Sequence, residues 1–81
     1  MPQRWTLHYH PSVTSFLYSL REEAAALTPT LWALQDNPIP ENARPVPGRP
    51  GRYEIQFEGY VIQYEVLTEQ KIIKVVLVER T

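Results

Sequence analysis

Between Glu41 and Glu54 the chain carries Arg44, Arg49 and Arg52 with no acidic residue among them. Guanidinium groups in such a run can grip phosphate or the carboxylates of an acidic protein segment. Directly downstream, Arg52, Glu54 and Gln56 alternate with Tyr53, Ile55 and Phe57. In a strand, the first set shares one face and the second set the other. Across the following turn Val61, Gln63 and Glu65 fall on the face of Arg52 and Glu54, and Lys74 and Arg80 extend it. Glu54 on that face has the chemistry of a general base, and Arg52 and Arg80 that of cations which stabilise a developing phosphorane. The plain alternative is a solvated sheet face, with Arg80 an ordinary charge near the C-terminus.

Other reactive residues are sparse. His8 and His10 stand two apart on one strand face, a spacing that can chelate a metal, but no third ligand is near in sequence, and they read as solvated. The sequence shows no Ser/His/Asp arrangement, no phosphate-cradling glycine loop and no metal motif, so no metal and no cofactor are expected. With no cysteine there is neither a disulfide framework nor a thiolate site.

These residues need elements to hold them. Arg4 to Tyr9 alternates, with Trp5, Leu7 and Tyr9 on one face, and reads as a first strand. Beyond Pro11, the residues Val13, Phe16, Leu17, Leu20, Ala24 and Leu27 recur at helical spacing, with Ser12 or His10 at the N-cap. Thr28-Pro29 reads as a second helix start, with Leu31 and Leu34 forming a short helix that stops before Pro38; a single kinked helix is the other reading. Five prolines between Pro38 and Pro50 bar a central strand and predict a stiff extended loop. Tyr53 to Phe57 and Tyr60 to Val66 form a hairpin turning at Glu58-Gly59, and Thr68 to Gln70 make the next turn. Lys71 to Glu79 is apolar on both faces, as a central strand would be, paired on one side with the first strand. Trp5 and Trp32 read as core residues, and Val61 as a packed edge or a partner contact.

Eighty-one residues, 43% of them hydrophobic, make one domain with a modest core. Such a small domain gains from a partner or from self-association. Eight basic and nine acidic residues leave a net charge of −1, so the domain as a whole offers no electrostatic footprint for a polyanion. No signal-length or membrane-length apolar run occurs, so a soluble, cytoplasmic protein is expected.

The element order and several short stretches carry a resemblance. His10-Pro11-Ser12-Val13, Leu34-Gln35-Asp36-Asn37-Pro38, Pro47-Gly48, Tyr53-Glu54-Ile55-Gln56, Gly59-Tyr60-Val61-Ile62-Gln63-Tyr64-Glu65-Val66 and Val78-Glu79-Arg80 together resemble the RelE/ParE superfamily of toxins. The resemblance implies an α+β fold over residues 1–81, a helix pair on a mainly antiparallel four-stranded sheet in the order β-α-α-β-β-β. It also implies a type II toxin–antitoxin pair with a cognate antitoxin as partner. The target would be mRNA on the ribosome for one branch and DNA gyrase for another, with a catalytically inactive interaction module of the same fold as the alternative. A hetero-oligomer is expected, or a homodimer. In the RNA-cleaving branch the Tyr-x-Ile-x strand carries bases where this chain has Glu54 and Gln56, and Gly-Tyr-Arg appears here as Gly59-Tyr60-Val61. Arg80 matches a basic position associated with catalysis. The candidate catalytic residues are therefore Arg80, Arg52 and Glu54, and the candidate nucleic-acid or antitoxin contacts Arg44, Arg49, Arg52 and Lys74.

Overall fold

A computed structural model describes residues 4–81. Strand β1 (Thr6–Tyr9) leads into helix α1 (Pro11–Leu20), a 3₁₀ turn (Arg21–Glu23) and helix α2 (Ala24–Ala33). A two-residue strand β2 (Arg44–Pro45) precedes the meander β3 (Arg52–Phe57), β4 (Tyr60–Leu67) and β5 (Ile72–Arg80). The strand order is β1-β5-β4-β3-β2, with β1 parallel to β5 and every other pair antiparallel. The parallel pairing of β1 with β5 needs a long connection: the helical segment carries the chain from β1 to the far side of the sheet, and the meander returns it to β5.

Helix α1 starts where Pro11 fits best, at a first turn whose amides lack intrahelical acceptors. His10 is the N-cap: its Nδ1 accepts the Ser12 amide at 3.1 Å. Val13, Leu20, Leu27, Leu31 and Leu34 press onto Ile55, Ile62, Tyr64, Ile73, Val75 and Val78 of the sheet, and all are buried. Tyr64 is fully buried, yet its hydroxyl finds a partner by donating to the Pro38 carbonyl at 2.7 Å. That bond fastens the proline-rich loop to the core. At the β3–β4 turn Glu58 and Gly59 both take positive φ, 52° and 81°, the pair that a two-residue type I′ hairpin demands.

Three expectations are corrected. The helices are not a pair divided at Thr28-Pro29 but one joined helical segment, and its irregularity lies at Arg21, where φ is 53° and ψ −118°. Pro29 sits inside α2. Its missing N–H leaves only the carbonyl four residues back, on exposed Ala25, without a helical donor, while Leu27 and Leu31 stay anchored in the core on either side. The sheet has five strands and is mixed, because Arg44 and Pro45 of the proline-rich loop pair with Glu54 and Tyr53. An edge tolerates the proline that a central strand would not. Finally, Trp32 is 57% exposed rather than core. It follows Leu31 by one residue, about 100° around the helix, so burying Leu31 turns Trp32 outward. Trp5 does pack against the core, with the Lys71 ammonium 4.9 Å from its ring centroid.

Candidate functional site

The helices cover one face of the sheet, and the other face presents the residues with chemical potential. Cross-strand register arranges them in rows. His8, Lys74, Glu65 and Arg52 lie side by side across β1, β5, β4 and β3. The next row runs Leu77, Gln63, Glu54 and Arg44, and a third holds Glu79, Val61 and Gln56. Residues opposite one another in register interact directly, so each row is an electrostatic unit.

Within these rows each cation stands beside a carboxylate, but only Arg52 is bonded to one, and its Nε is buried without a hydrogen-bond partner among the described residues. The Arg52 guanidinium reaches Glu65 at 3.5 Å, with both side chains half-buried. Glu54 accepts the Gln63 amide at 3.0 Å and stands opposite Arg44. Lys74 stands opposite Glu65. Three cations (Arg44, Arg52, Lys74) meet three carboxylates (Glu54, Glu65, Glu79), so the formal charge of the face is zero. A groove of about 300 Å³ at the β2 edge is lined by Glu41, Asn42, Arg44, Glu54 and Gln56. It is polar, and its carboxylates outnumber its one cation.

Arg80 does not join this face. Between the Gln63–Leu77 and Tyr64–Val75 pairs the ladder contains one extra residue, Val76. Such a bulge shifts side-chain parity by one, so Val75 and Val78, three apart, both point at the helices. Arg80 follows Val78 onto the helix side, opposite Tyr60. There its guanidinium binds Glu23 of the 3₁₀ turn at 2.7 Å, and the Tyr60 hydroxyl donates to the same carboxylate at 2.7 Å. The bond to Glu23 raises the Tyr60 phenol above its ordinary range, with burial adding to it. Arg80 and Arg52 are also far apart lengthwise. Their β4 partners are Tyr60 and Glu65, five residues apart, which is about 17 Å along the strand.

Of the candidate residues, the structure therefore brings Arg52, Glu54, Arg44 and Lys74 together on one face and leaves Arg80 on the other. Arg49 lies exposed in the β2–β3 connection, where its carbonyl accepts the Arg52 amide. His10 is used as a helix cap and does not pair with His8 for metal binding. Sequence reasoning did not identify Glu23 or Tyr60 as partners of Arg80. The run Ile72-Ile73-Lys74-Val75-Val76-Leu77-Val78 is apolar at both parities, which hides the bulge, and that bulge decides which carboxylate Arg80 meets.

The groove on the helix side is apolar. Tyr9, Thr14, Leu17, Tyr18, Arg21 and Ala24 line about 450 Å³ between the end of β1 and the helical segment. Burial pushes the Tyr9 phenol up. Among the described residues no helix is long and apolar enough to cross a membrane.

A small α+β domain with this order of elements is the fold of the RelE toxins. The isolated E. coli RelE toxin superimposes with a TM-score of 0.84 at 21% identity, over 95% of this chain and 84% of that one. The toxin–antitoxin complex RelBE2 from Mycobacterium tuberculosis matches with a TM-score of 0.80 at 17% identity, over 96% and 99% of the two chains. The archaeal RelE–RelB complex from Pyrococcus horikoshii OT3 matches with a TM-score of 0.82 at 19% identity, over 95% and 94%. No curated protein sequence matches. The model of the ParE toxin family of type II toxin–antitoxin systems, parDE, matches residues 8–81, and the chain belongs to that family.

Proposed function

We propose that this protein is the toxin of a type II toxin–antitoxin pair and that it arrests growth by binding a protein target, DNA gyrase, not by cutting mRNA on the ribosome. One observation carries the choice of target: the charged sheet face has no net formal charge, with Arg52 bonded to Glu65, while Arg80 stands on the opposite face, bound to Glu23. Metal-free RNA cleavage needs a base, an acid and cations converging on one phosphate. Arg52, Glu54 and Arg80 do not converge.

A cognate antitoxin is part of the reading, because the RelE relatives from M. tuberculosis and P. horikoshii were solved with RelB partners. Exposed Arg44 and Arg49 are the cations nearest to hand for an acidic partner, and Lys74 adds a third on the sheet. The pair would act in the cytoplasm.

The experiment is tightly controlled expression in a bacterial host, alone and with the neighbouring open reading frame. It is read by growth, by primer-extension maps of mRNA ends, and by gyrase supercoiling with the purified protein. Arrest with gyrase inhibition and without codon-positioned cuts supports the proposal. Codon-positioned cuts that vanish in Arg80→Ala would replace it with ribosome-dependent cleavage. Good soluble expression without arrest would leave an inactive interaction module.

A further inference from the structure

The sheet is open at its β1 edge. Towards β5, the Thr6 amide donates to the Lys71 carbonyl and the His10 amide to the Val75 carbonyl, both at 2.9 Å. In a parallel ladder the alternate residues turn their N–H and C=O groups the other way, so Trp5, Leu7 and Tyr9 face outward. The Trp5 pair is already taken: its amide donates to the Gln35 carbonyl at 3.0 Å, and its carbonyl accepts the Gln35 side-chain amide at 3.2 Å. Leu7 and Tyr9 have no such partner among the described residues. The opposite edge is blunted, since β2 is two residues long and one is proline. Within β1, Thr6-Leu7-His8-Tyr9, there is no proline, lysine or bulge to blunt pairing.

We propose that β1 pairs antiparallel with β1 of a second copy of this chain, about a two-fold axis at His8. The two residues with open backbone groups are spaced symmetrically about His8. In that register Leu7 exchanges both of its hydrogen bonds with the second copy's Tyr9, and Tyr9 with the second copy's Leu7. All open groups on both edges are then satisfied, and the groups at Trp5, already bonded within the chain, fall outside the pairing. The side chains agree with this register. Leu7 and Tyr9 both lie on the helix side, packed against the core, so each cross-strand pair sets an aliphatic side chain against an aromatic one.

The helix layer fits the same arrangement. Helix α1 packs over β5. Across β5, β1 and their two-fold mates, the α1 helices of the two copies would stand three strand spacings apart, about 14 Å. Helices in direct contact are about 8–10 Å apart, so the extra width must be filled by large side chains. The chain has these in place: the 450 Å³ groove beside β1 lies there, and Tyr18 on its rim is 80% exposed. A two-fold sets one groove and its Tyr18 against the other. The inference stands apart from the choice of toxin target, since it uses only the edge strand and the groove.

Sedimentation equilibrium of the full chain, from low micromolar to about 0.5 mM, tests it together with amide hydrogen exchange at the same concentrations. The expected result is a concentration-dependent doubling of the 9.5 kDa mass, with the Leu7 and Tyr9 amides slowing in step. Tyr18→Glu should weaken association by about tenfold or more. Tyr18 is exposed, so that variant should keep its fold, and circular dichroism checks this. A monomer throughout the range overturns the proposal. So does a dimer in which the Leu7 and Tyr9 amides exchange as in dilute protein, or protection of those amides only on adding the antitoxin.

Discussion

Replacing Arg80 separates a structural tie from a catalytic group because the two roles predict effects of different size. In the structure Arg80 and Glu23 form an ion pair whose side chains are 59% and 60% exposed. Exposed pairs of this kind are worth about 0.2–1 kcal/mol, reduced further by salt. Arg80→Ala should therefore lower stability by less than about 1 kcal/mol, a shift of a few tenths of a molar in the urea midpoint. A double-mutant cycle with Glu23→Gln should return a coupling energy of the same size that shrinks at high salt. Toxicity, read as growth arrest at matched expression, should persist in Arg80→Ala. A cation acting on a transition state behaves otherwise: its removal costs about 10² to 10³ in rate, or roughly 3–4 kcal/mol, with little effect on stability. Loss of arrest in an Arg80→Ala protein with an unchanged urea midpoint would refute the reasoning and put Arg80 at a reacting phosphate.

Three further outcomes follow from particular contacts. Burial pushes the Tyr64 phenol up to about 12, so the unfolded chain loses this proton near pH 10 while the folded one keeps it. Stability is thus fully present below pH 10 and falls as pH rises towards 12, and Tyr64→Phe should flatten that decline in urea titrations. At neutral pH the same variant strands the Pro38 carbonyl and should cost about 1–2 kcal/mol. His10→Ala removes the N-cap acceptor of α1 and should cost about 1 kcal/mol in thermal or urea melts, whereas His10→Asn should restore most of it. Arg21 occupies φ 53°, ψ −118°, where a Cβ is strained, so Arg21→Gly should stabilise by about 1 kcal/mol; a loss of stability would show that the Arg21 side chain contributes more than its backbone costs.

Much of the meander could be read from residue order, because a period of two and an Asx- or Gly-containing turn are local signals. Ile55, Ile62 and Tyr64 fall in the core where alternation puts them, and Glu58-Gly59 turns the chain where positive φ is needed. The start of α1 near Pro11 and the central place of β5 were likewise legible, while the choice of His10 over Ser12 as the N-cap was not. Arg52, Glu54, Gln63 and Glu65 share one face for the same local reason, so that part of the candidate site followed from parity alone.

Where local signals were absent or doubled, only the folded chain could decide. Pro29 is a strong helix breaker in isolation, but burial of Leu27 and Leu31 on one side of α2, and of Leu34 at its C-cap, outweighs one lost helical bond. Arg44 and Pro45 show no strand pattern and pair only because β3 presents its edge to them. Arg80 illustrates the limit most clearly. In a strand that is apolar at both parities, residue types do not say where a bulge falls, and the extra Val76 turns Arg80 from the charged face to Glu23 and Tyr60. Sequence determined which charges this protein carries and the period on which they lie. Tertiary packing decided which face each charge meets, because register is set by the fit of two long apolar surfaces and not by any single residue.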